Sequence, residues 1–233
     1  MYEVGHQVPC GIRQYTLFNG CSQYDAQLSL VCLTEDDRGL NENIDVFPLP
    51  ELSVDLGGPE RGWNKLAVFA ETLYDLQGKV LCLDLDLIIT GSLDDLFDYP
   101  GEVMIIKDWI KKDGTGNSSV YRFEVGAHPE VLAEFEKSFD QIKKIHRNEQ
   151  EYLSAALMKK NALVYWPDHW CRSFKRHCIK PFSLFFPRET EMPADTRVLV
   201  FHGKPDPHEA IAGVSGKWYR RFKPATWIQD HWR

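Results

Sequence analysis

Two carboxylates interrupt an apolar segment of the chain, the run KVLCLDLDLII at residues 79–89. On one continuous strand Asp84 and Asp86 would point to the same face, because side chains alternate along a strand. Burial of an unpaired carboxylate is costly, and two carboxylates on one face also repel each other. A divalent cation would offset both penalties, and Mg²⁺ and Mn²⁺ prefer such oxygen ligands. The spacing predicts a metal site; two solvated carboxylates at an exposed strand end are the alternative.

The elements that must position this pair can be predicted from hydrophobic periodicity. Short apolar runs predict strands at residues 28–33, 44–49, 80–89, 103–106, 118–123, 163–166 and 197–202. Apolar residues at helical spacing predict helices at residues 64–76, 128–145 and 148–160. Strands that alternate with helices are typical of an α/β fold with a central sheet. Residues 1–25 give no clear strand, apart from a weak signal at residues 2–4.

Composition and charge restrict the class of protein. The chain has 233 residues, which suits one sizeable domain or two small ones, and its 43% hydrophobic and 26% charged residues indicate a globular protein. No linker is evident, so we expect one domain. The formal net charge of −7 argues against a nucleic-acid-binding protein. No apolar run approaches the roughly 18 residues of a membrane span, and the start MYEVGHQVPCG does not resemble a signal peptide, so we expect a cytoplasmic protein. The six cysteines form no C-x-x-C pair, and we expect them to be reduced.

Two classes of enzyme place D-x-D at the end of a strand. Haloacid-dehalogenase-like phosphatases use D-x-D-x-T/V near the start of the chain, with the first aspartate as nucleophile. Here Ile88 stands at the T/V position, and the motif lies a third of the way along the chain. In metal-dependent GT-A glycosyltransferases, D-x-D follows several βα units and holds the cation that bridges the diphosphate of a sugar nucleotide. The position of Asp84 and Asp86 favours the second class.

The segment LCLDLDLIITGSLDDLF resembles the D-x-D strand of bacterial glycosyltransferases related to glycosyltransferase family 8. Four further segments resemble that group in the same order along the chain: RGWNKLAVF (61–69), GNSSVYRF (116–123), RNEQEYL (147–153) and VFHGKPDPHE (200–209). The resemblance implies one GT-A-like domain over residues 1–233, with a Rossmann-like mixed central sheet flanked by helices. Residues 1–25 would then be a divergent or truncated first βα unit.

The resemblance also implies a reaction and the residues that serve it. The reaction is transfer of a sugar from a UDP- or GDP-sugar to a glycan or lipid acceptor, with retention of configuration. The implied metal ligands for Mn²⁺ or Mg²⁺ are Asp84, Asp86 and His202, and Asp84 would also reach the donor. The other implied donor-binding residues are Trp63, Lys65, Asn117, Ser118, Ser119, Gly203 and Lys204. Glu149 and Gln150 are the implied catalytic residues, and Asp108 and Trp109 the implied acceptor residues.

Each of these side chains also has an ordinary structural role open to it. Trp63 can pack in the core, and the segment DGTGNSS can be a simple turn. His202 and Lys204 can be surface residues, and Glu149 can be an ordinary acid at the start of a helix. The sequence alone leaves both interpretations open at each position.

Two functional alternatives and one surface remain open. Because the first residues do not form the expected base-binding strand and loop, the chain could be a non-catalytic homologue that binds sugar nucleotides. A D-x-D phosphatase is the weaker alternative. The C-terminal segment GKWYRRFKPATWIQDHWR mixes basic and aromatic residues. Such a tail either lies on an anionic membrane surface or packs onto the domain.

Overall fold

The computed structural model describes the backbone of residues 14–20 and all atoms of residues 29–57, 62–181, 187–216 and 221–231. The weak strand signal at residues 2–4 lies outside the described residues. The described chain divides into two compact units. We call Cys10–Asp84 with Asp95–Trp166 the N-terminal unit, and Leu85–Asp94 with Pro167–Arg233 the C-terminal unit. That residues 1–233 form a single domain stays a prediction.

The described residues form ten strands and five α-helices. The strands are β1 Gln14–Gly20, β2 Ser29–Thr34, β3 Asp45–Phe47, β4 Lys79–Leu83, β5 Leu87–Ile89, β6 Val103–Lys107, β7 Gly116–Glu124, β8 Leu163–Tyr165, β9 Cys171–Ser173 and β10 Val198–Val200. The helices are α1 Asp94–Asp98, α2 Pro129–Lys137, α3 Phe139–Ile145, α4 Glu149–Lys159 and α5 Pro207–Ile211. Two 3₁₀ helices, Trp63–Phe69 and Thr226–Asp230, and one π-helical turn, Phe174–Cys178, complete the set.

Seven strands form the sheet of the N-terminal unit, in the order β3-β2-β1-β4-β7-β6-β8. The sheet is mixed: β1 runs antiparallel to β2 and β4, and β7 runs antiparallel to β4 and β6. Side chains from the 3₁₀ helix Trp63–Phe69, α2 and α4 pack against the sheet in one buried core, which includes Leu66, Phe135 and Leu157. The predicted α/β fold, a mixed sheet flanked by helices, is confirmed.

Three strands form the sheet of the C-terminal unit, in the order β5-β10-β9. β10 pairs antiparallel with β5 and parallel with β9. The core of this unit includes Phe174, Phe201, Phe222 and Ile228. The described part of the C-terminal tail therefore packs onto its own unit through apolar side chains that include Phe222 and Ile228. Trp218, Tyr219 and Trp232, which the sequence analysis included in that tail, lie outside the described residues.

The predicted strand 80–89 is wrong as one continuous element. β4 ends at Leu83, β5 begins at Leu87, and the two belong to different sheets. The Asp84 amide donates to the Ser119 carbonyl in the N-terminal unit, at 3.0 Å. Leu85, between the two acids, is 38% exposed. The chain leaves the first sheet at the acids because two carboxylates cannot continue a doubly buried strand.

Other elements differ from prediction for local reasons. Strand β1 was not predicted, although it lies between β2 and β4 in the sheet. The predicted helix 64–76 ends early, because Ala70 adopts an extended backbone with ψ 154° after one 3₁₀ segment. The predicted helix 128–145 is two helices, α2 and α3, which separate at Ser138, where φ is −120°. The predicted helix 148–160 is confirmed as α4.

Arg122 on β7 is 1% exposed and holds the segment after α1. Its guanidinium donates to four carbonyl oxygens, at 2.7 to 2.9 Å: those of Leu96, Phe97, Tyr99 and Gly101. Those carbonyls include orphan acceptors at the C-terminal end of a helix, which favour a cation. This one side chain therefore fixes the backbone that leads into β6.

Four cysteines, Cys32, Cys82, Cys171 and Cys178, are buried free thiols, in line with the prediction of reduced cysteines. Cys10 and Cys21 lie outside the described residues. Within the described ranges, no helix has both the length and the apolar character needed to span a bilayer.

Candidate functional site

In the N-terminal unit, polar residues collect at one edge of the sheet. Asp84 directly follows β4, and the antiparallel partner β7 begins with the run Gly116–Ser119. β6, which pairs antiparallel with β7, ends at Lys107 opposite Gly116. Because antiparallel neighbours run in opposite directions, the end of β4, the start of β7 and the end of β6 share this edge.

Lys65 neutralises Asp84 at this edge. The Lys65 Nζ lies 2.5 Å from Asp84 Oδ1, and the two side chains are 11% and 22% exposed. The same ammonium donates to the Ser118 carbonyl at 3.2 Å and to Ser118 Oγ at 3.4 Å. The 3₁₀ helix Trp63–Phe69 places Lys65 there. A lysine ammonium thus holds the first acid of the D-x-D motif.

Glu149 enters the same group of side chains from the start of α4. Its Oε1 accepts a hydrogen bond from Ser118 Oγ at 2.7 Å, and Glu149 is 7% exposed. Gln150 Oε1 accepts from the Ser118 amide at 3.4 Å. We call Lys65, Asp84, Ser118, Glu149 and Gln150 the Lys65 network. The network contains one cation and two carboxylates: Lys65 contacts Asp84 directly and is linked to Glu149 through Ser118.

The N-terminal end of α4 is built to hold Glu149. The Asn148 side chain caps the helix by accepting from the Glu151 amide at 3.1 Å. An acid in the first helical turn is favoured by the helix dipole. Gly62 approaches so closely that an added Cβ would lie 2.4 Å from Glu149 Oε2, and its φ of +103° is one that side-chain-bearing residues rarely adopt. Glycine is therefore required where the 3₁₀ segment meets Glu149.

Several predicted site residues serve local structure in the N-terminal unit. Trp63 is 4% exposed and stacks on Phe135 with ring centroids 5.1 Å apart, so the structure favours packing over base stacking. Asn117 Oδ1 accepts from the Ser119 amide at 3.1 Å, which stabilises the start of β7, where its pairing with β6 is irregular. Ser119 itself is 6% exposed, and its carbonyl receives the Asp84 amide.

The two predicted acceptor residues lie in the loop after β6. Asp108 Oδ1 accepts from the amides of Ile110 and Lys111, both at 2.7 Å. This pattern is a side-chain-stabilised turn, so the Asp108 carboxylate shapes the loop. Trp109 beside it is half-buried, and Ile110 is 63% exposed.

In the C-terminal unit a second set of polar residues shares one sheet edge. β9 and β10 run parallel, so the residues that follow them leave at the same edge: Lys175 and His177 after β9, and His202 after β10. β5 runs antiparallel to β10 and begins just after Asp86. The Phe201 amide donates to the Asp86 carbonyl at 2.7 Å. The pairing therefore sets Asp86 opposite the residue that precedes His202.

Ser173 joins two histidines at this edge. Its Oγ lies 2.7 Å from His202 Nε2, and Ser173 is fully buried. Its amide donates to His177 Nδ1 at 2.9 Å. Burial lowers the pKa of His177, and the nearby Arg172 guanidinium lowers it further. The His202 ring is thus oriented through a buried hydroxyl that the sequence analysis did not identify.

Lys204 pairs with two acids of its own segment, and its predicted role in donor binding stays a prediction. Its Nζ lies 2.5 Å from Asp206 Oδ2 and 3.0 Å from Glu209 Oε1. The hydrogen bond that Lys204 donates to Asp206, and then the one that it donates to Glu209, raises the pKa of Lys204. Asp206 and Glu209 also form the capping box of α5. Asp206, His208 and Glu209 could hold a cation by spacing alone, but both carboxylates already face Lys204.

Lys175 lies beside His202 and Gly203 at this edge. Its ammonium donates to the His202 carbonyl. An added Cβ at Gly203 would lie 3.5 Å from Lys175 Nζ, and Gly203 has φ +63°. The signal that could have identified Lys175 was the basic run RSFKRH at residues 172–177.

The structure thus groups the predicted residues unit by unit. In the N-terminal unit it brings together the five members of the Lys65 network. In the C-terminal unit it brings Asp86 and His202 to one edge. Trp63, Asp108 and Lys204 have structural partners instead.

Comparisons with known proteins identify the fold. No protein-family model matches the chain, and no curated protein matches it. Among solved structures, the chain is similar to the galactosyltransferase LgtC in complex with donor and acceptor sugar analogs. The two structures align with a TM-score of 0.51 and 18% sequence identity, and the alignment covers 73% of this chain and 70% of that chain. An active-site mutant of LgtC aligns over the same shares, with TM-score 0.48 and 16% identity. The glycosyltransferase GlyE of Streptococcus pneumoniae TIGR4 aligns over 71% of this chain and 42% of that chain, with TM-score 0.44 and 17% identity. The alignment with LgtC itself confirms the predicted glycosyltransferase-like α/β fold.

Proposed function

We propose that this chain is a metal-dependent glycosyltransferase that moves a sugar from a nucleotide-sugar donor to a glycan or lipid acceptor. The observation that carries the proposal is the fold shared with LgtC over 73% of the chain. The polar residues at the edges of both sheets add to it, because α/β folds bind ligands beyond the ends of their strands. The same fold gives no support to the phosphatase alternative.

Asp86 and His202 are the residues that we propose to hold Mn²⁺ or Mg²⁺. A carboxylate and a neutral imidazole form a donor set that fits such an ion. The β5–β10 pairing and the buried Ser173 hydroxyl fix the backbone and the ring. When bound, the cation would stabilise negative charge on a leaving diphosphate. The share of Asp84 in this metal site stays a prediction from the sequence.

The Lys65 network would serve the sugar of the donor. Lys65 pairs with Asp84, and the network still holds one more carboxylate than cation, so we assign it to the hydroxyl groups of the sugar. Glu149 supplies a buried carboxylate whose orientation Ser118 fixes. Glycosyl transfer passes through an oxocarbenium-like transition state, which a carboxylate of this kind stabilises. Retention of configuration belongs to the proposal on the strength of the sequence resemblance.

Nucleotide binding tests the proposal. We expect Mn²⁺ with UDP- or GDP-sugars to raise the melting temperature, because a ligand at 100 times its Kd stabilises a protein by about 2.7 kcal/mol. EDTA should abolish the shift. Asp86→Asn should also abolish it, whereas Asp140→Asn on the exposed side of α3 serves as a matched control.

Two outcomes would contradict different parts of the proposal, donor binding and catalysis. If no UDP- or GDP-sugar binds in the presence of Mn²⁺, the chain is not a glycosyltransferase of this kind. If a sugar nucleotide binds but is neither transferred nor slowly hydrolysed, the chain is a non-catalytic binding homologue. Chromatography of the released nucleoside diphosphate separates these cases.

A further inference from the structure

We infer that Lys175, and not Lys204, is the lysine of the C-terminal unit that meets the diphosphate of the donor. The inference rests on the proposed function and assigns one further residue to it. It follows from where each ammonium lies and from the charges of the segment that carries it.

Lys204 is held away from this role by its own segment. Its ammonium faces two carboxylates, those of Asp206 and Glu209, so the three side chains together carry a net charge of −1. A diphosphate approaching Lys204 would meet that negative charge as well as the ammonium. The two acids also cap α5, and they cannot move aside without loss of that cap.

Lys175 lies where the edge of the sheet presents its other functional groups. It leaves β9 at the same edge where His202 leaves β10, since the two strands run parallel. Its ammonium donates to the His202 carbonyl, which anchors it one residue from Gly203. Gly203 lacks a side chain, so phosphate oxygens can approach the backbone beside Lys175.

The segment that carries Lys175 is basic, whereas the segment that carries Lys204 is acidic. The run RSFKRH at residues 172–177 contains three Lys or Arg residues and no acid. The charge of the segment after β9 thus favours an anion, and the two carboxylates of the segment after β10 do not.

Titration calorimetry with Mn²⁺ and inorganic pyrophosphate tests the inference without the base or the sugar. Lys175→Gln keeps a donor for the His202 carbonyl but removes the charge. We expect it to weaken pyrophosphate binding about tenfold or more, the loss of one charge-assisted contact. Lys175→Arg should retain most of the affinity. Lys204→Gln should change affinity by less than about twofold, as should the control Lys180→Gln, whose lysine pairs with Glu191 at the surface.

Two further measurements separate contact with phosphate from a structural role. Lys175→Gln should leave the affinity for Mn²⁺ alone within about twofold of the parent, and it should flatten the dependence of pyrophosphate binding on salt concentration. Equal losses of Mn²⁺ and pyrophosphate affinity would show that Lys175 only supports His202, and would overturn the inference. So would a large loss in Lys204→Gln with none in Lys175→Gln.

The experiment also distinguishes this inference from the proposed function. If the parent binds pyrophosphate with Mn²⁺ and Lys175→Gln does not, but no UDP- or GDP-sugar binds, the assignment of Lys175 stands and the proposed function fails. If sugar nucleotides bind and Lys175→Gln binds them as tightly as the parent, the proposed function stands and the inference fails. If the parent binds neither class of probe, both are overturned.

Discussion

Replacement of Lys65 by methionine should destabilise the N-terminal unit, because it removes the cation of the Lys65 network. The ammonium lies 2.5 Å from Asp84 Oδ1, and Glu149 is 7% exposed in the same network. Removal of one partner from a fully buried ion pair costs about 3–5 kcal/mol, and an exposed pair contributes about 0–1 kcal/mol. Asp84 is 22% exposed, so water partly screens the loss. We therefore expect a loss of about 2–4 kcal/mol in the free energy of unfolding, between those two limits.

Denaturant unfolding followed by tryptophan fluorescence measures this loss. The control is Lys112→Met, an exposed lysine, which should change stability by less than about 0.5 kcal/mol. A double-mutant cycle with Asp84→Asn isolates the pair, and we expect a coupling free energy of about 1–3 kcal/mol. The reasoning is refuted if Lys65→Met matches the parent in stability, or if the two substitutions add without coupling.

Three further predictions concern single positions. Gly62→Ala should destabilise the protein by about 1–3 kcal/mol and weaken sugar-nucleotide binding, because the added Cβ would clash with Glu149 and because residue 62 has a φ of +103°. Unchanged stability in denaturant would contradict this prediction. Arg122→Met should cost about 3 kcal/mol or more, because four carbonyls lose their donor, and a melting temperature equal to the parent's would contradict it. Burial, and then Arg172, lowers the pKa of His177 below 6.5, so the unfolded state binds the proton more readily, and stability should fall as pH drops below 6.5. The loss of stability should be smaller in His177→Gln. If unfolding experiments give the parent and this variant the same pH profile, His177 does not cause the loss.

The sequence predicted most of the elements but not how the D-x-D segment divides. Local periodicity identified β2, β3, β6, β7 and α4 close to their observed bounds. It could not show that residues 80–89 serve two sheets, because both halves are equally apolar and the partners of each half lie far away in sequence. Strand β1 was missed because QYTLFNG alternates only weakly between apolar and polar residues, and it is a strand through its pairing with β2 and β4.

Within the candidate site, the sequence identified several residues that lie in contact, but it did not identify all of their partners. Lys65, Ser118 and Glu149 were identified, and the structure shows them in contact. Lys204 was also identified, but the sequence alone did not show that it pairs with the acids two and five residues later. Lys175 was missed because the turn that carries it has neither strand nor helix periodicity.

The pairing of β5 with β10 has a consequence for how the chain folds. The Thr90 hydroxyl donates to the Thr196 carbonyl, a contact between residues 106 positions apart. While a ribosome synthesises the chain, Leu87–Ile89 emerges long before the strand that covers it. Such non-local contacts slow folding and leave an apolar edge exposed in the meantime. Nascent chains stopped before β10 should therefore be bound by chaperones through this short segment, and release should coincide with synthesis of Val198–Val200.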